Sequence, residues 1–196
     1  INRVVVHMPL RKQMEWIQET YSKYEIDNLI IVGGESSKQK YPGPTVNESL
    51  EKISQDNRRL ENSILCGGIC IPSRRKESKN LIRKSECGAE FFTTQVLCDS
   101  VNVIKMIKNY QERCDKVNTF PRRILLSFAP VSSQKNIDFL KWLGVEIPKD
   151  TEKYLNGRPG SMTERSLDVD IEVLNEILAF IANNNLKVPV GLNVEH

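Results

Sequence analysis

Residues Asn80 to Asp99 read NLIRKSECGAEFFTTQVLCD. This stretch is the end of a basic helix, a two-residue turn, a short apolar strand, and then Thr94-Gln95 at the strand's carboxyl end. In parallel α/β sheets and barrels, ligands sit where strands end, so Thr94 and Gln95 fall where chemistry is expected. The helix before them carries Lys79, Arg83 and Lys84, cations able to hold an anionic cofactor. The competing reading is an ordinary helix–strand unit with a solvated basic face, and the rest of the chain has to decide between them.

Working outward, the same alternation recurs. Arg3 to His7 (RVVVH) is a β-branched run long enough for a buried strand. Met14, Ile17, Tyr21 and Tyr24 then share one helical face. Asn28 to Val32 is a second strand, ending in Gly33-Gly34-Glu35, and Ser36 to Pro44 is a polar loop. Thr45-Val46-Asn47-Glu48 has capping-box spacing and starts a helix with Val46, Leu50, Ile53 and Leu60 on one side. Ser63 to Ile71 is the third strand and Ala89 to Thr93 the fourth. Asp99 or Ser100 caps the next helix, with Val103, Ile104, Ile107 and Tyr110 on its inner face. Arg123 to Phe128 is the fifth strand, and the helix after it ends at Gly144, the expected place for a left-handed cap. Pro148 to Leu155 reads as a short extra helix, and Ile171, Leu174, Ile177, Leu178 and Ile181 form a helical stripe. Lys187 to Glu195 is the last strand.

Six strands alternating with five main helices predict parallel strands covered on the outside. No internal repeat, low-complexity segment or composition shift divides the chain, so 1–196 is expected to form a single domain. The glycine-rich dinucleotide turn is absent: neither Gly33-Gly34 nor Gly67-Gly68 has G-x-G-x-x-G spacing.

Composition narrows the classes. With 196 residues, 39% hydrophobic and 27% charged, the chain suits one domain with a sizeable core. A net charge of +3, with short basic runs interleaved with acids, argues against a nucleic-acid partner. No window of 18 apolar residues occurs, and Ile1 opens into an apolar strand, so neither a membrane span nor a leader is expected. The five cysteines, odd in number and mostly within apolar segments, suit reduced thiols in the cytoplasm. His7 and His196 are the only histidines, and no metal site is expected.

The strand ends, taken as one rim, collect His7, Gly34-Glu35, Ile71-Pro72-Ser73, Thr94-Gln95, Ala129-Pro130, Asn193, Glu195 and His196. Two carboxylates, a carboxamide and imidazoles over an apolar floor make a polar site.

These residues resemble the barrel domain of the methylenetetrahydrofolate reductase family. Asn80, Arg83-Lys84, Gly88-Ala89, Thr94-Gln95 and Asp99 keep that family's order and spacing, with Leu97-Cys98 where it has two aromatics. His7 is similar to its third-strand histidine, with Met8-Pro9 in place of Leu-Thr. Gly33-Gly34-Glu35 resembles its Arg-Gly-Asp strand end, and Pro130-Val131-Ser132 and GVEIPKD (Gly144 to Asp150) match the segment after its seventh strand. The likeness runs from Ile1 almost to His196 and is best from Asn80 to Asp99.

The resemblance implies a TIM-like (β/α)8 barrel of which this chain holds six of the eight parallel strands, the third to the eighth. The remainder would come from a longer chain, a homo-oligomer or a partner subunit completing the barrel. It implies reduction of 5,10-methylenetetrahydrofolate to 5-methyltetrahydrofolate by NADH or NADPH through bound FAD, a step of one-carbon metabolism and methionine biosynthesis. By carry-over, Glu77, Asn80, Arg83 and Lys84 contact the flavin, and His7 lines it. Gln95 hydrogen-bonds the pterin, and Glu35 stabilises cationic character near flavin and folate, which makes Glu35 and Gln95 the catalytic and substrate-binding pair. Glu stands for Asp at positions 35 and 77, Pro72-Ser73-Arg74-Arg75 replaces a proline-acid-histidine stretch, and Gln134 occupies an aromatic position. These departures support the alternative of a non-catalytic folate- or flavin-binding subunit of a larger complex.

Overall fold

The computed structural model describes residues 1–34, 39–157 and 160–195. The elements in order are β1 (Asn2–Val4), α1 (Leu10–Tyr24), β2 (Asn28–Val32), α2 (Val46–Leu60), β3 (Leu65–Cys70), α3 (Glu77–Glu86) and β4 (Phe91–Thr94). They continue with α4 (Val101–Lys116), β5 (Arg123–Phe128), α5 (Gln134–Trp142), α6 (Lys149–Asn156), α7 (Met162–Asn183) and β6 (Val190–Val194). The fold is α/β, with a six-stranded sheet in the order β1-β2-β3-β4-β5-β6. That order has two ends, so among the described residues the sheet is not a closed barrel. No helix among the described residues is long and apolar enough to cross a membrane.

The chain forms two compact units, one of Ile1–Cys70 with Lys79–Thr93, the other of Ile71–Ser78 with Thr94–His196. In the first unit β1 pairs parallel with β2 (Asn2 opposite Ile30), and β2 with β3 (Asn28 opposite Leu65). Leu29, Ile31, Leu50, Ile53 and Phe92 are fully or almost fully buried there. The Thr45 capping box forms as its spacing predicts: Thr45 Oγ1 accepts from the Glu48 amide at 3.2 Å, and Glu48 Oε2 accepts from the Thr45 amide at 2.7 Å. Those bonds hold the Glu48 carboxyl below its ordinary pKa.

The expected inner face of α1 is rotated. Gln13, Met14, Ile17 and Thr20 are buried, whereas Tyr24 is exposed. Gln13 tolerates burial because its amide donates to Val5 O at 2.7 Å and accepts from Arg3 Nε at 2.9 Å.

In the second unit β5 pairs parallel with β6, from Ile124 opposite Val190 to Phe128 opposite Val194. Helix α4 buries Val103, Ile107 and Tyr110 as expected, together with Met106 and Cys114. Val131, Ile137, Leu140, Val145 and Leu155 form a second apolar cluster. Gly144 takes the left-handed conformation (φ +82°) just after α5, so its predicted cap is present. Three helices, α5 to α7, lie between β5 and β6, matching the helix that ends at Gly144, the short extra helix and the apolar stripe. That stripe on α7 is only partly used: of its residues only Ile177 is buried, Leu174 and Ile181 are half-buried, and Ile171 and Leu178 are exposed, while Val173, outside the stripe, is buried.

Candidate functional site

In the first unit, loops after β1 and β2 set the surroundings of His7. The strand ends at Val4, so His7 lies beyond it, exposed, with its ring edge-on to Tyr41 at 5.7 Å and 75°. Tyr41 also explains Gly34, because a Cβ there would stand 2.3 Å from the Tyr41 ring. Glu35, the expected catalytic acid, lies outside the described residues, as does His196.

The four expected cofactor residues of α3 divide into two kinds. Lys84 is half-buried; its Nζ donates to Ile69 O of β3 at 2.5 Å, its stem passing Gly68, where a Cβ would be 3.4 Å from Lys84 Cδ. Glu77 is 1% exposed, and its Oε1 accepts from the Ile71 amide at 3.0 Å, pinning the turn that follows β3. Both side chains therefore serve the backbone at the end of β3. Arg83 is exposed, and Asn80 lies one turn before it, half-buried. Of these four, Arg83 is the exposed cation of α3.

In the second unit the ends of β4, β5 and β6 are joined by side chains. Thr94 Oγ1 accepts from the Ser127 amide at 2.8 Å, and Ser127 O accepts from the Leu97 amide at 2.9 Å. Ser127 Oγ accepts from Asn193 Nδ2 at 3.0 Å, and the same amide nitrogen donates to Glu195 Oε1 at 2.9 Å. Ser127 is fully buried and is the hub of this chain. Thr94, Asn193 and Glu195 are strand-end residues legible in the sequence, whereas Ser127 is not. Its available signal was a lone hydroxyl in the otherwise apolar end of RILLSF.

Gln95 follows directly. Its Nε2 donates to Leu143 O at 3.1 Å, beside Gly144. With the nitrogen so engaged, Oε1 is the carboxamide's acceptor. Gln95 lines a cavity of about 30 Å³ with Ser73, Asp99, Asn102 and Glu146. Asp99 also caps α4, its Oδ1 accepting from the Asn102 amide at 3.3 Å. The cavity is therefore rich in acceptors and about the size of one water molecule. Next to it, sharing Cys98 and Asp99, is a groove of about 470 Å³ lined also by Tyr154, Asp168, Val169 and Glu172.

Cys98 lines both spaces, but burial, aided by the charges of Asp170 and Asp99, pushes its thiol up to about 12, so it is no nucleophile at neutral pH. Among the described residues no cluster of three or more His, Cys, Asp or Glu could hold a metal ion.

No protein-family model matches the chain, and no curated protein matches it. It is similar in structure to an uncharacterized protein from Clostridium thermocellum that binds two copies of 5-methyl-5,6,7,8-tetrahydrofolic acid, with a TM-score of 0.79 and 23% identity. That match covers 100% of this chain and 65% of the other, so this chain spans about two thirds of that protein's length. The likeness establishes a shared fold. Much weaker likenesses link it to a rubisco-like protein from Alicyclobacillus acidocaldarius (TM-score 0.39, 13% identity, 64% of this chain and 31% of that one). A 2,3-dimethylmalate lyase gives a TM-score of 0.46 at 11% identity, over 95% of this chain and 61% of that one.

Proposed function

We propose that this chain binds a reduced folate at the carboxyl end of β4, with Gln95 meeting the pterin. The observation that carries the reading is Gln95 itself: its nitrogen donates to Leu143 O, which leaves its oxygen as the acceptor, and Asp99 and Glu146 line the same cavity. A pterin presents a 2-amino group and an N3–H side by side, two donors that need two or more acceptors. The 30 Å³ cavity takes the amino group and not the bicycle, whose ring would lie in the adjoining space. The fold shared with a protein that binds 5-methyltetrahydrofolate supports the same ligand class.

The finer reading is reduction of methylenetetrahydrofolate. In that reading Arg83, Lys84 and Asn80 would contact the anionic part of FAD, as the family resemblance implies. Bound flavin would supply hydride transfer from NADH or NADPH to the folate methylene carbon. The chain's six strands would be the third to eighth of a barrel completed by a longer chain or a partner subunit. The second reading is a non-catalytic folate- or flavin-binding subunit, which the departures at Pro72-Ser73-Arg74-Arg75 and Gln134 support.

Titration calorimetry with 5-methyltetrahydrofolate tests the binding, comparing the native protein with Gln95→Ala. The variant is expected to bind about tenfold more weakly, the loss of one hydrogen bond to a polar ligand. Unchanged affinity in a folded variant overturns the site. Absorbance then separates the two finer readings: a yellow protein bleached by NADH supports the reductase, and a colourless folate binder that leaves NADH unoxidised excludes it.

A further inference from the structure

We infer that the turn between β3 and α3, together with the facing side of α4, forms a pocket for a phosphate or carboxylate oxyanion. A cavity of about 110 Å³ lies there, lined by Arg74, Arg75 and Lys105 with the amides of Asn102 and Asn109. All of these residues belong to the second unit. A fourth cation stands against the wall: Arg113 Nε donates to the hydroxyl of Ser78, which also lines the cavity, at 2.9 Å.

Glu77 is the one carboxylate in the lining, and it is already engaged. Its Oε1 holds the Ile71 amide, and its Oε2 is 4.0 Å from Arg74 Nη1. The buried carboxylate thus fixes the turn that presents Arg74 and Arg75, and the lining keeps an excess of positive charge. Guanidinium groups present paired N–H donors that match oxyanion geometry, a lysine adds a point charge, and the two asparagines supply neutral donors. The first turn of α3, which begins at Glu77, adds partial positive charge on the same side. The volume is several times the ~30 Å³ of a water molecule, enough for a tetrahedral oxyanion.

The pocket also has an address. It shares Pro72, Ser73 and Asn102 with the acceptor-lined cavity at Gln95. An acceptor-rich cavity and a cation-rich one therefore adjoin across a single turn, which suits a ligand with a donor edge and an anionic group. Two sources carry that anion: the glutamate tail of a folate, or a free or nucleotide-borne phosphate. Inorganic phosphate is expected to bind there whether or not a folate occupies the cavity at Gln95.

The test is calorimetric titration of the protein with inorganic phosphate at low ionic strength, against the double variant Arg75→Glu, Lys105→Glu. Both side chains are exposed, so the fold is expected to survive, checked by circular dichroism. Saturable binding that weakens at least tenfold in the double variant supports the pocket. No saturable binding, or equal binding by the folded variant, overturns it. Gln95→Ala is expected to bind phosphate like the native protein, which separates failure here from failure of the folate site. Comparing 5-methyltetrahydrofolate carrying one glutamate with the form carrying several then identifies the source. A gain for the longer tail that disappears in the double variant assigns the pocket to the tail, and equal affinities assign it to phosphate.

Discussion

Replacing Asp170 by asparagine is expected to stabilise the protein at neutral pH and to do little in acid. Asp170 lies on α7, its Oδ2 buried with no hydrogen-bond partner among the described residues, and burial pushes its carboxyl up to about 6. An unfolded aspartate titrates near ~3.9, so the folded state holds its proton more tightly across the interval between. The sign follows from linkage. Below pH 4 the group is protonated in both states, and as pH rises towards 6 the unfolded chain ionises freely while the folded one resists. Stability from this group is therefore lost between about pH 4 and pH 6 and stays lost above. A difference of about two pH units corresponds to roughly 3 kcal/mol, which solvent screening of a part-exposed carboxylate reduces to about 1–2 kcal/mol. Urea unfolding of the native protein and Asp170→Asn at pH 7.5 and pH 4 measures it. The asparagine variant should gain a midpoint shift of about half a molar at pH 7.5 relative to its shift at pH 4. Any fixed cost of burying the amide cancels in that comparison. A shift that is the same at both pH values, or absent at pH 7.5, refutes the reasoning.

Thr94→Val leaves the buried Ser127 amide without its acceptor and should cost about 1–3 kcal/mol in urea unfolding, whereas Thr94→Ser keeps the hydroxyl and most of the stability. Equal losses in the two variants would show that the methyl group, not the hydroxyl, matters. At pH 8 the thiols of Cys66 and Cys98, both pushed up to about 12 chiefly by burial, are about one part in ten thousand thiolate and should resist alkylation in the folded protein. Cys87 and Cys98 are both half-buried, but burial pushes the Cys98 thiol up to about 12, so Cys87 should label first, read by peptide mass spectrometry. Labelling of Cys98 as fast as Cys87 would contradict the raised Cys98 thiol.

Local signals survived the passage from sequence to structure where the interaction is itself local. The Thr45 capping box and the left-handed Gly144 each depend on residues within one or two turns, so their spacing is sufficient to specify them. Periodicity identified the strands because an uninterrupted apolar run has few alternatives, although it placed several ends too wide: the first strand stops at Val4, and the last begins at Val190. It misjudged α1 and α7, since a helical stripe shows which side is apolar and not how much of that side finds a neighbour.

The candidate site divides along the same line. Position at a strand end was legible for Gln95, because parallel strands followed by helices put their carboxyl ends on one side. What each side chain does there was not. The sequence does not show that Lys84 Nζ also donates to Ile69 O or that Glu77 Oε1 also accepts from the Ile71 amide, as backbone groups at a buried strand end require partners. Ser127 became a hub only when β4, β5 and β6 brought Thr94 and Asn193 to it.

The sequence by itself determined the α/β class, the strand order's raw material and the polar character of the strand ends, all consequences of period and local chemistry. Tertiary structure alone decided which acids and cations are engaged by the backbone and which line a cavity. Arg74 and Arg75 meet Lys105 and Asn109 across some thirty residues of chain. Charges that distant in sequence acquire a common field only when packing places them around one space, and no spacing rule along the chain carries that information.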